Sequence, residues 1–190
     1  MALSHAILAT LLSGPISGYG LAKRFNRSIG YFWQATHQQI YRELASLEEQ
    51  GYVLRVSSEY EPSQAQSTEK LYELTAGGRY HLTQWIAQPT EPGILREDLL
   101  VKVRAGVLVS PKAMINELRR QRTIHTEKLT IYRSLRERDF ADLEQLSYEQ
   151  RLLYLPLLRG LMFEEENVAW CDAAIAMLQT ADRTNGLAEY

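Results

Sequence analysis

The stretch Thr36-His-Gln-Gln-Ile-Tyr-Arg-Glu-Leu-Ala-Ser-Leu-Glu-Glu-Gln-Gly51 decides how this chain folds. Thr36 is followed three residues later by Gln39, the spacing of a capping box, in which each side chain satisfies a backbone group at the start of a helix. The spacing predicts a helix that begins at His37. Gly51 is expected to end it, because glycine readily adopts the left-handed conformation of a C-terminal cap.

This predicted helix has an apolar side and a polar side. At about 100° per residue, its apolar side chains fall within about 60° of one another and mark the buried side, which comprises Ile40, Leu44 and Leu47. The side chains that project from the opposite side are Gln38, Arg42, Ala45 and Glu49, flanked by Gln39, Tyr41 and Ser46.

Two helices are predicted before this one, and a hairpin of two strands and a fourth helix are predicted after it. These elements occupy residues 2–13, 18–26, 53–56, 70–74 and 75–88. Ser17 and Thr75 are expected to cap the second and the fourth helix. The apolar side of the fourth helix is predicted to carry Leu82, Trp85 and Ile86.

Three helices, a strand, a loop and a returning strand, in this order, form a winged helix-turn-helix. A capped helix about 10 to 12 Å wide fits the major groove of DNA, about 12 Å wide, and its first turns can reach base edges. Gln38 or Gln39 can pair with adenine, and Arg42 can bind guanine or a phosphate. The residues expected beside the DNA backbone are Lys23, Arg24 and Arg27. From this pattern alone, an ordinary solvated surface is an equal alternative.

The charge of the whole chain argues against a nucleic-acid partner, but its distribution does not. The 190 residues carry 21 Lys and Arg against 23 Asp and Glu, a net charge of -2, whereas DNA-binding chains usually show a basic excess. Residues 1–56 hold five basic and three acidic residues, or +2, and residues 57–75 hold one basic and four acidic residues, or -3. Phosphate contact is therefore expected on the helices.

The second half of the chain is predicted to be a separate helical domain. Residues 89–93 contain two prolines and no apolar anchor, which is typical of a hinge. The predicted organisation is a winged helix at 1–88, a linker at 89–95 and a helical domain at 96–190, so the fold class is mainly α. One helix is expected over about 96–108, and the next begins at Ser110-Pro111, an N-cap followed by proline.

Two helices of this domain carry residues at alternating spacings of three and four, the heptad pattern of a coiled coil. Either stripe would be exposed on an isolated chain, so a second copy is expected to cover it. The residues predicted to form this homodimer contact are Ile115, Leu118, Leu129, Tyr132, Leu157, Leu161, Val168, Ile175 and Leu178. Pro156 and Gly160 are expected to kink or divide the last helix.

Other function classes have no residues to support them. Cys171 has neither a base nor an electropositive niche beside it in sequence and is expected to be packed. The four histidines lack metal-ligand spacing, and no phosphate-binding loop or catalytic set stands out. We expect no metal, no cofactor and no enzyme activity. Without a signal-peptide pattern or a long apolar stretch, a soluble, cytoplasmic protein without a membrane partner is expected.

A family resemblance rests on three stretches: Gly14-Pro-Ile-Ser-Gly-Tyr-Gly-Leu-Ala-Lys-Arg-Phe25, Phe32-Trp-Gln-Ala-Thr-His-Gln-Gln-Ile-Tyr-Arg-Glu-Leu-Ala-Ser-Leu-Glu-Glu-Gln-Gly-Tyr-Val53 and Tyr72-Glu-Leu-Thr-Ala-Gly-Gly-Arg79. They closely resemble the PadR family of bacterial transcriptional regulators. Further on, Glu97-Asp-Leu-Leu-Val-Lys102 and Trp170 look like the helical C-terminal region of the longer PadR subclass, which virulence-activator-type members share.

The resemblance implies a homodimer that binds a roughly palindromic DNA operator as a repressor or, less often, as an activator. The C-terminal helices would form the dimer arm. In members that sense small molecules, aromatic or phenolic compounds are the usual effectors. A flat apolar ligand can stack on an indole ring. Trp33 and Trp170 are therefore the candidates for an effector pocket, with core or interface packing as the plainer alternative.

The resemblance also assigns site residues. It places Tyr19 and Lys23 on the supporting helix, and the residues that it places on the recognition helix are His37, Gln38, Tyr41 and Arg42. Many family members carry an arginine-rich wing, whereas this chain has Gln-Ala-Gln-Ser-Thr-Glu-Lys at 64–70. That departure leaves weaker wing candidates, namely Gln64, Gln66 and Lys70. The alternative function is a winged-helix module that docks proteins and has no DNA target.

Overall fold

The computed structural model of the chain describes residues 2–27, 35–56, 70–93 and 96–185. It divides into two compact units, Met1–Pro92 and Gly93–Tyr190, and the division falls within the segment 89–95. The predicted fold class is confirmed, because a winged helix-turn-helix is followed by a unit whose described elements are all helical.

The first unit follows the predicted order of helices and wing. Its described elements are α1 (Ala2–Leu11), β1 (Ile16–Ser17), α2 (Gly18–Arg27), α3 (His37–Glu49), β2 (Val53–Val56), β3 (Leu71–Leu74) and α4 (Ala76–Ile86).

In the described residues, the sheet of this unit has three strands, one more than predicted from sequence. β3 lies between β1 and β2 and pairs antiparallel with both, so Tyr72 has Ile16 as its partner on one side and Arg55 on the other. The prediction missed β1 because two residues are too few to show the alternation that marks a strand. The sheet therefore connects the start of α2 to the base of the wing.

The helix ends follow the predicted caps. Thr36 N–H donates to Gln39 Oε1 (2.8 Å) and Gln39 N–H donates to Thr36 Oγ1 (3.2 Å), which confirms the capping box of α3. Gly51 has a φ of +71°, as its predicted left-handed cap requires. Gly20 N–H donates to the Ser17 hydroxyl (3.0 Å) at the start of α2.

One apolar core holds the helices and the wing of the first unit together. Its buried residues are Ile7, Leu8, Leu11, Leu21, Ala22, Phe25, Ile40, Leu44, Leu47, Val53, Leu74 and Leu82. Trp85 and Ile86 are not among them, since 45% and 65% of their surface is exposed. The prediction is wrong at these two positions because α4 ends there. The Trp85 ring lies over the buried His5 side chain of α1, with 4.3 Å between the ring centroids, and keeps its other face in solvent.

α4 approaches the segment after α3 too closely for a side chain at residue 78. A Cβ on Gly78 would overlap the carbonyl oxygen of Tyr52. The Thr75 hydroxyl accepts from Gly78 N–H (2.9 Å) and donates to the Gly51 carbonyl (2.7 Å), while Thr75 N–H donates to the Tyr52 carbonyl (3.1 Å). This junction ties the end of α3 to the start of α4.

The second unit is built on two long helices. Its described elements are α5 (Asp98–Arg104), a 3-10 turn (Gly106–Leu108), α6 (Pro111–Asp139) and α7 (Tyr148–Asn185). The single helix predicted over 96–108 is interrupted between α5 and the 3-10 turn. Gly106 lies at the break, and glycine is a poor helix former. Ser110 caps α6 by accepting from Ala113 N–H (3.3 Å). α7 runs through Pro156 without a division.

α6 and α7 lie antiparallel and cover each other's predicted seam. Their contacts run in opposite order along the two helices, from Arg122 with Asp172 to Tyr132 beside Gly160. The seam residues that are at most 7% exposed within this single chain are Ile115, Leu118, Leu129, Tyr132, Leu157 and Leu161. The homodimer contact was predicted because these side chains would be exposed on an isolated chain. At these six positions they are instead covered within the chain. The other seam residues, which are half-buried, are Val168, Ile175 and Leu178.

A polar pair is buried in this helix pairing. His125 Nδ1 lies 2.5 Å from Glu164 Oε2, and the two side chains are only 14% and 4% exposed. Lys128 Nζ approaches the other carboxylate oxygen at 3.9 Å. Because a buried carboxylate is costly without partners, the pair disfavours any slip of α6 along α7.

Gly78→Ala is expected to lower the free energy of unfolding of the first unit by about 1 to 3 kcal/mol, because the added methyl overpacks a closed backbone contact. Gly77→Ala is the matched control, since the nearest atoms to its new Cβ would be 3.6 Å away. Urea unfolding followed by circular dichroism measures both variants. Equal stability of the two would contradict the close approach at Gly78.

His125→Ala is expected to lower the free energy of unfolding of the helical unit by about 3 kcal/mol, because it leaves the Glu164 carboxylate buried without its closest partner. Arg133→Ala breaks a surface pair with Glu165 on the same two helices (3.0 Å; side chains 56% and 49% exposed). That control should cost less than about 1 kcal/mol. A denaturant titration of both variants compares them, and similar losses would show that burial of the pair is unimportant.

Candidate nucleic-acid interface

The outward side of α3 is a polar ridge opposite the core. Ile40, Leu44 and Leu47 are at most 1% exposed and hold the other side of the helix. We call the exposed residues opposite them the reading ridge; they are Gln38, Arg42, Ala45 and Glu49. Ala45 adds little bulk between Arg42 and Glu49, so the ridge is lowest at its middle.

Gln38 and Gln39, which the sequence left as alternatives, are not equivalent in the structure. Gln39 Oε1 accepts from the N–H and the hydroxyl of Thr36, at 2.8 and 3.1 Å. An amide that reads adenine must offer its oxygen and its NH₂ group together. Because capping engages the Gln39 oxygen, the geometry favours Gln38 for contact with a base.

Two further residues of α3 flank the ridge. His37 is exposed at the first position of the helix. Tyr41 is 44% exposed, and its ring lies against Gly18 at the start of α2. Tyr41 therefore faces solvent with one edge and contacts the supporting helix with the other. The sequence shows no signal for this contact, because the two residues are far apart in the chain.

The supporting helix also turns polar side chains away from the core. Tyr19 is 59% exposed, and Lys23 and Arg24 are exposed as well. At the base of the wing, Lys70 is exposed. The remaining predicted contacts lie outside the described part of the chain, namely the side chain of Arg27 and both wing glutamines, Gln64 and Gln66.

Arg55 is exposed, but its guanidinium is engaged by neighbours within the first unit. Its guanidinium pairs with Glu48 at 2.6 Å and lies over the Tyr72 ring, 5.6 Å from the centroid. Lys23, Arg24 and Arg42 are the exposed cations with described side chains before β2. The exposed positive charge of this region thus lies on α2 and α3.

The helical unit has an open surface pocket of about 420 Å³ beside α5, the 3-10 turn and α6, in which Leu108 is 85% exposed. Its lining residues are Lys102, Ala105, Gly106, Leu108, Val109, Ala113, Met114 and Glu117. Hydrogen bonds from Arg120 (2.9 and 2.8 Å) and then from Gln121 lower the pKa of Glu117 to about 2, so this carboxylate is charged at neutral pH.

The sequence carries no signal for this pocket, because its lining comes from three separate elements. Trp170 is half-buried and is not among the lining residues. Trp33 lies outside the described residues. An effector pocket at these tryptophans therefore stays a prediction.

Cys171 is 1% exposed, as predicted for a packed cysteine, and burial raises the pKa of its thiol. Among the described residues, no three ligating side chains of the His, Cys, Asp or Glu type are grouped closely enough to hold a metal ion. Over the same ranges, no helix has the length and apolar character needed to cross a membrane.

A capped helix that projects from a helical core beside a small antiparallel wing defines the winged-helix class of transcriptional regulators. Residues 7–84 match the Transcriptional regulator PadR-like family, and residues 95–179 match the family described as Virulence activator alpha C-term. The chain belongs to the PadR family of transcriptional regulators, in its longer form with a helical C-terminal domain.

Relatives match the chain over nearly its whole length. It is 37% identical over 189 residues to the probable transcriptional regulator Rv1176c of Mycobacterium tuberculosis, covering 94% of this chain and 98% of that protein. It is 28% identical to the negative transcriptional regulator PadR of Bacillus subtilis, covering 93% and 97%. The family resemblance predicted from sequence is thus confirmed across both units.

Solved structures agree with this assignment. Bacillus subtilis PadR in complex with operator DNA has a TM-score of 0.81 at 26% identity, covering 94% of this chain and 99% of that one. The same protein with p-coumaric acid has a TM-score of 0.77 at 27% identity and the same coverage. The Vibrio cholerae virulence activator AphA has a TM-score of 0.76 at 31% identity, again covering 94% and 99%.

Proposed function

We propose that this protein binds a specific DNA operator as a homodimer and represses transcription, without enzyme activity. The observation that carries the proposal is the reading ridge, a polar surface that the buried side of α3 holds outward. The complex of Bacillus subtilis PadR with operator DNA supports the DNA target, and the description of that relative as a negative regulator supports repression.

The exposed side chains fall into two groups, one that contacts DNA bases and one that contacts the DNA backbone. Arg42 offers the planar fork of donors that pairs with guanine, and Gln38 offers the donor and acceptor that pair with adenine. Lys23 and Arg24 on α2 act on the DNA backbone, which positions the protein without reading its sequence. In a homodimer, two such helices enter successive major grooves about 34 Å apart.

Arg42→Ala is expected to weaken operator binding by about 1 to 3 kcal/mol and to relax specificity, because it removes a base contact. Lys23→Ala is the matched comparison, since loss of a phosphate contact weakens all sequences about equally and reduces the salt dependence by about one ion. Fluorescence anisotropy measures both variants, with a duplex selected from genomic DNA by the wild-type protein and with a scrambled duplex.

Two results would count against this division of roles. Arg42→Ala that loses affinity for both duplexes to the same extent would remove Arg42 from base reading. Wild-type affinity that hardly changes with salt would favour the protein-docking alternative, since a DNA reader releases counterions steeply.

The helical unit offers a surface for the proposed homodimer. Because α6 and α7 bury each other's seam, the side of α7 that faces away from α6 is exposed. A second heptad pattern runs along that side, with residues spaced alternately by three and four. We call it the outer stripe; its residues, all exposed, are Leu152, Leu155, Arg159, Met162, Glu166, Ala169, Ala173 and Ala176.

The outer stripe is complementary to itself in the antiparallel direction. Its first half carries large side chains and its second half ends in alanines, so an antiparallel copy sets Leu152 and Leu155 against Ala176 and Ala173. Met162 and Glu166 face each other at the centre, where Arg159 comes within reach of the partner carboxylate. A parallel copy would instead set large against large and small against small, which packs unevenly.

Leu155→Asp is expected to convert the dimer to a monomer at micromolar concentration, because it places a charge in the apolar half of the outer stripe. Leu153→Asp is the matched control: Leu153 is 68% exposed on the same helix but lies outside the stripe. Sedimentation velocity measures the oligomeric state of both. A monomeric wild type, or equal dissociation of the two variants, would contradict the outer stripe as the homodimer interface.

We propose a small aromatic effector as a further partner. The structure of Bacillus subtilis PadR with p-coumaric acid supports the ligand class. In this chain the candidates are the predicted tryptophans, Trp33 and Trp170, and the open pocket beside Lys102 and Glu117.

A further inference from the structure

The start of α2 carries a buried glycine whose role is not conformational. In the described parts of the chain, the glycines with a positive φ are Gly14 and Gly51, so Gly18 has a backbone conformation that any residue can adopt. A Cβ at residue 18 would lie 2.5 Å from Cε1 of Tyr41 and 3.3 Å from its hydroxyl oxygen. Glycine is therefore needed at 18 for space.

The space that Gly18 leaves is filled by a side chain of the recognition helix. The Tyr41 ring packs against the backbone of α2 at Gly18, so the ring cannot turn toward the core. Tyr41 stays 44% exposed to solvent. Tyr41 directly precedes Arg42 of the reading ridge. The contact thus joins the first turn of α2 to the part of α3 that carries Gln38 and Arg42.

We infer that Gly18 is a positioning residue for operator binding, which acts through Tyr41. By leaving room for the ring, it holds the Tyr41 side chain and the first two turns of α3 in the arrangement that meets DNA. The inference rests on the proposed DNA-binding function. Because the tyrosine is partly exposed, an added methyl group at 18 is expected to push the ring outward and to leave the two helices folded.

Gly18→Ala is therefore expected to lower operator affinity about tenfold, the scale of one lost contact, with little change in thermal stability. Tyr41→Ala removes the ring with which the methyl would collide. If Gly18 acts through Tyr41, the double variant should bind no more weakly than Tyr41→Ala alone. Fluorescence anisotropy with the duplex selected by the wild-type protein measures affinity, and differential scanning calorimetry measures stability.

Two other glycines serve as controls. Gly77→Ala makes the same change in the first turn of α4, where no atom lies closer than 3.6 Å, and should leave operator affinity unchanged. Gly20→Ala changes the same turn of α2, and the three atoms nearest to its new Cβ belong to Ile16 and Ser17 of β1. In the double variant Gly20→Ala/Tyr41→Ala, the loss of operator binding free energy should therefore equal the sum of the two single losses.

The outcomes separate this inference from the proposed function. Coupling between Gly18→Ala and Tyr41→Ala, together with additivity for Gly20→Ala, supports the inference. Wild-type affinity in Gly18→Ala, or additive losses in its double variant, overturns it while operator binding stands. A wild-type protein that does not distinguish the selected duplex from a scrambled one overturns the DNA-binding function and the inference with it.

Discussion

Burial of one side of α3 is the constraint on which the candidate DNA-reading surface depends. Ile40, Leu44 and Leu47 are almost fully removed from water, and each such side chain contributes about 1.5 to 3 kcal/mol through burial. Turning α3 by a single residue position, about 100°, would expose them and carry polar groups toward the core. The apolar core therefore determines the chemistry of the outward face, although none of its atoms belongs to that face.

Burial of apolar side chains also determines which surface the helical unit exposes. α6 and α7 each carry a heptad seam, and the two seams satisfy each other within one chain around the buried His125–Glu164 pair. At six seam positions the apolar surface is thus already covered within the chain. What is left for a second copy is the outer stripe of α7, where large and small side chains are segregated along the helix.

Sequence signals were accurate where the deciding interactions are local. The Thr36–Gln39 box, the Gly51 cap and the Ser110 cap each act within a few residues. Features that depend on distant partners were missed or misplaced. β1 exists because Ile16 pairs with Tyr72, Trp85 stacks on His5 at the end of α4 and stays 45% exposed, and Arg55 is occupied by Glu48 and Tyr72.

The sequence by itself determined the fold class, the family and the outward ridge of α3, because helix periodicity and capping are properties of a single segment. Only the tertiary structure decided which candidates have their polar groups available and which apolar stripes are covered. It paired Arg55 with Glu48, set Tyr41 on Gly18 and paired α6 with α7. These outcomes depend on which segments pack together in space, and spacing along the chain does not encode that.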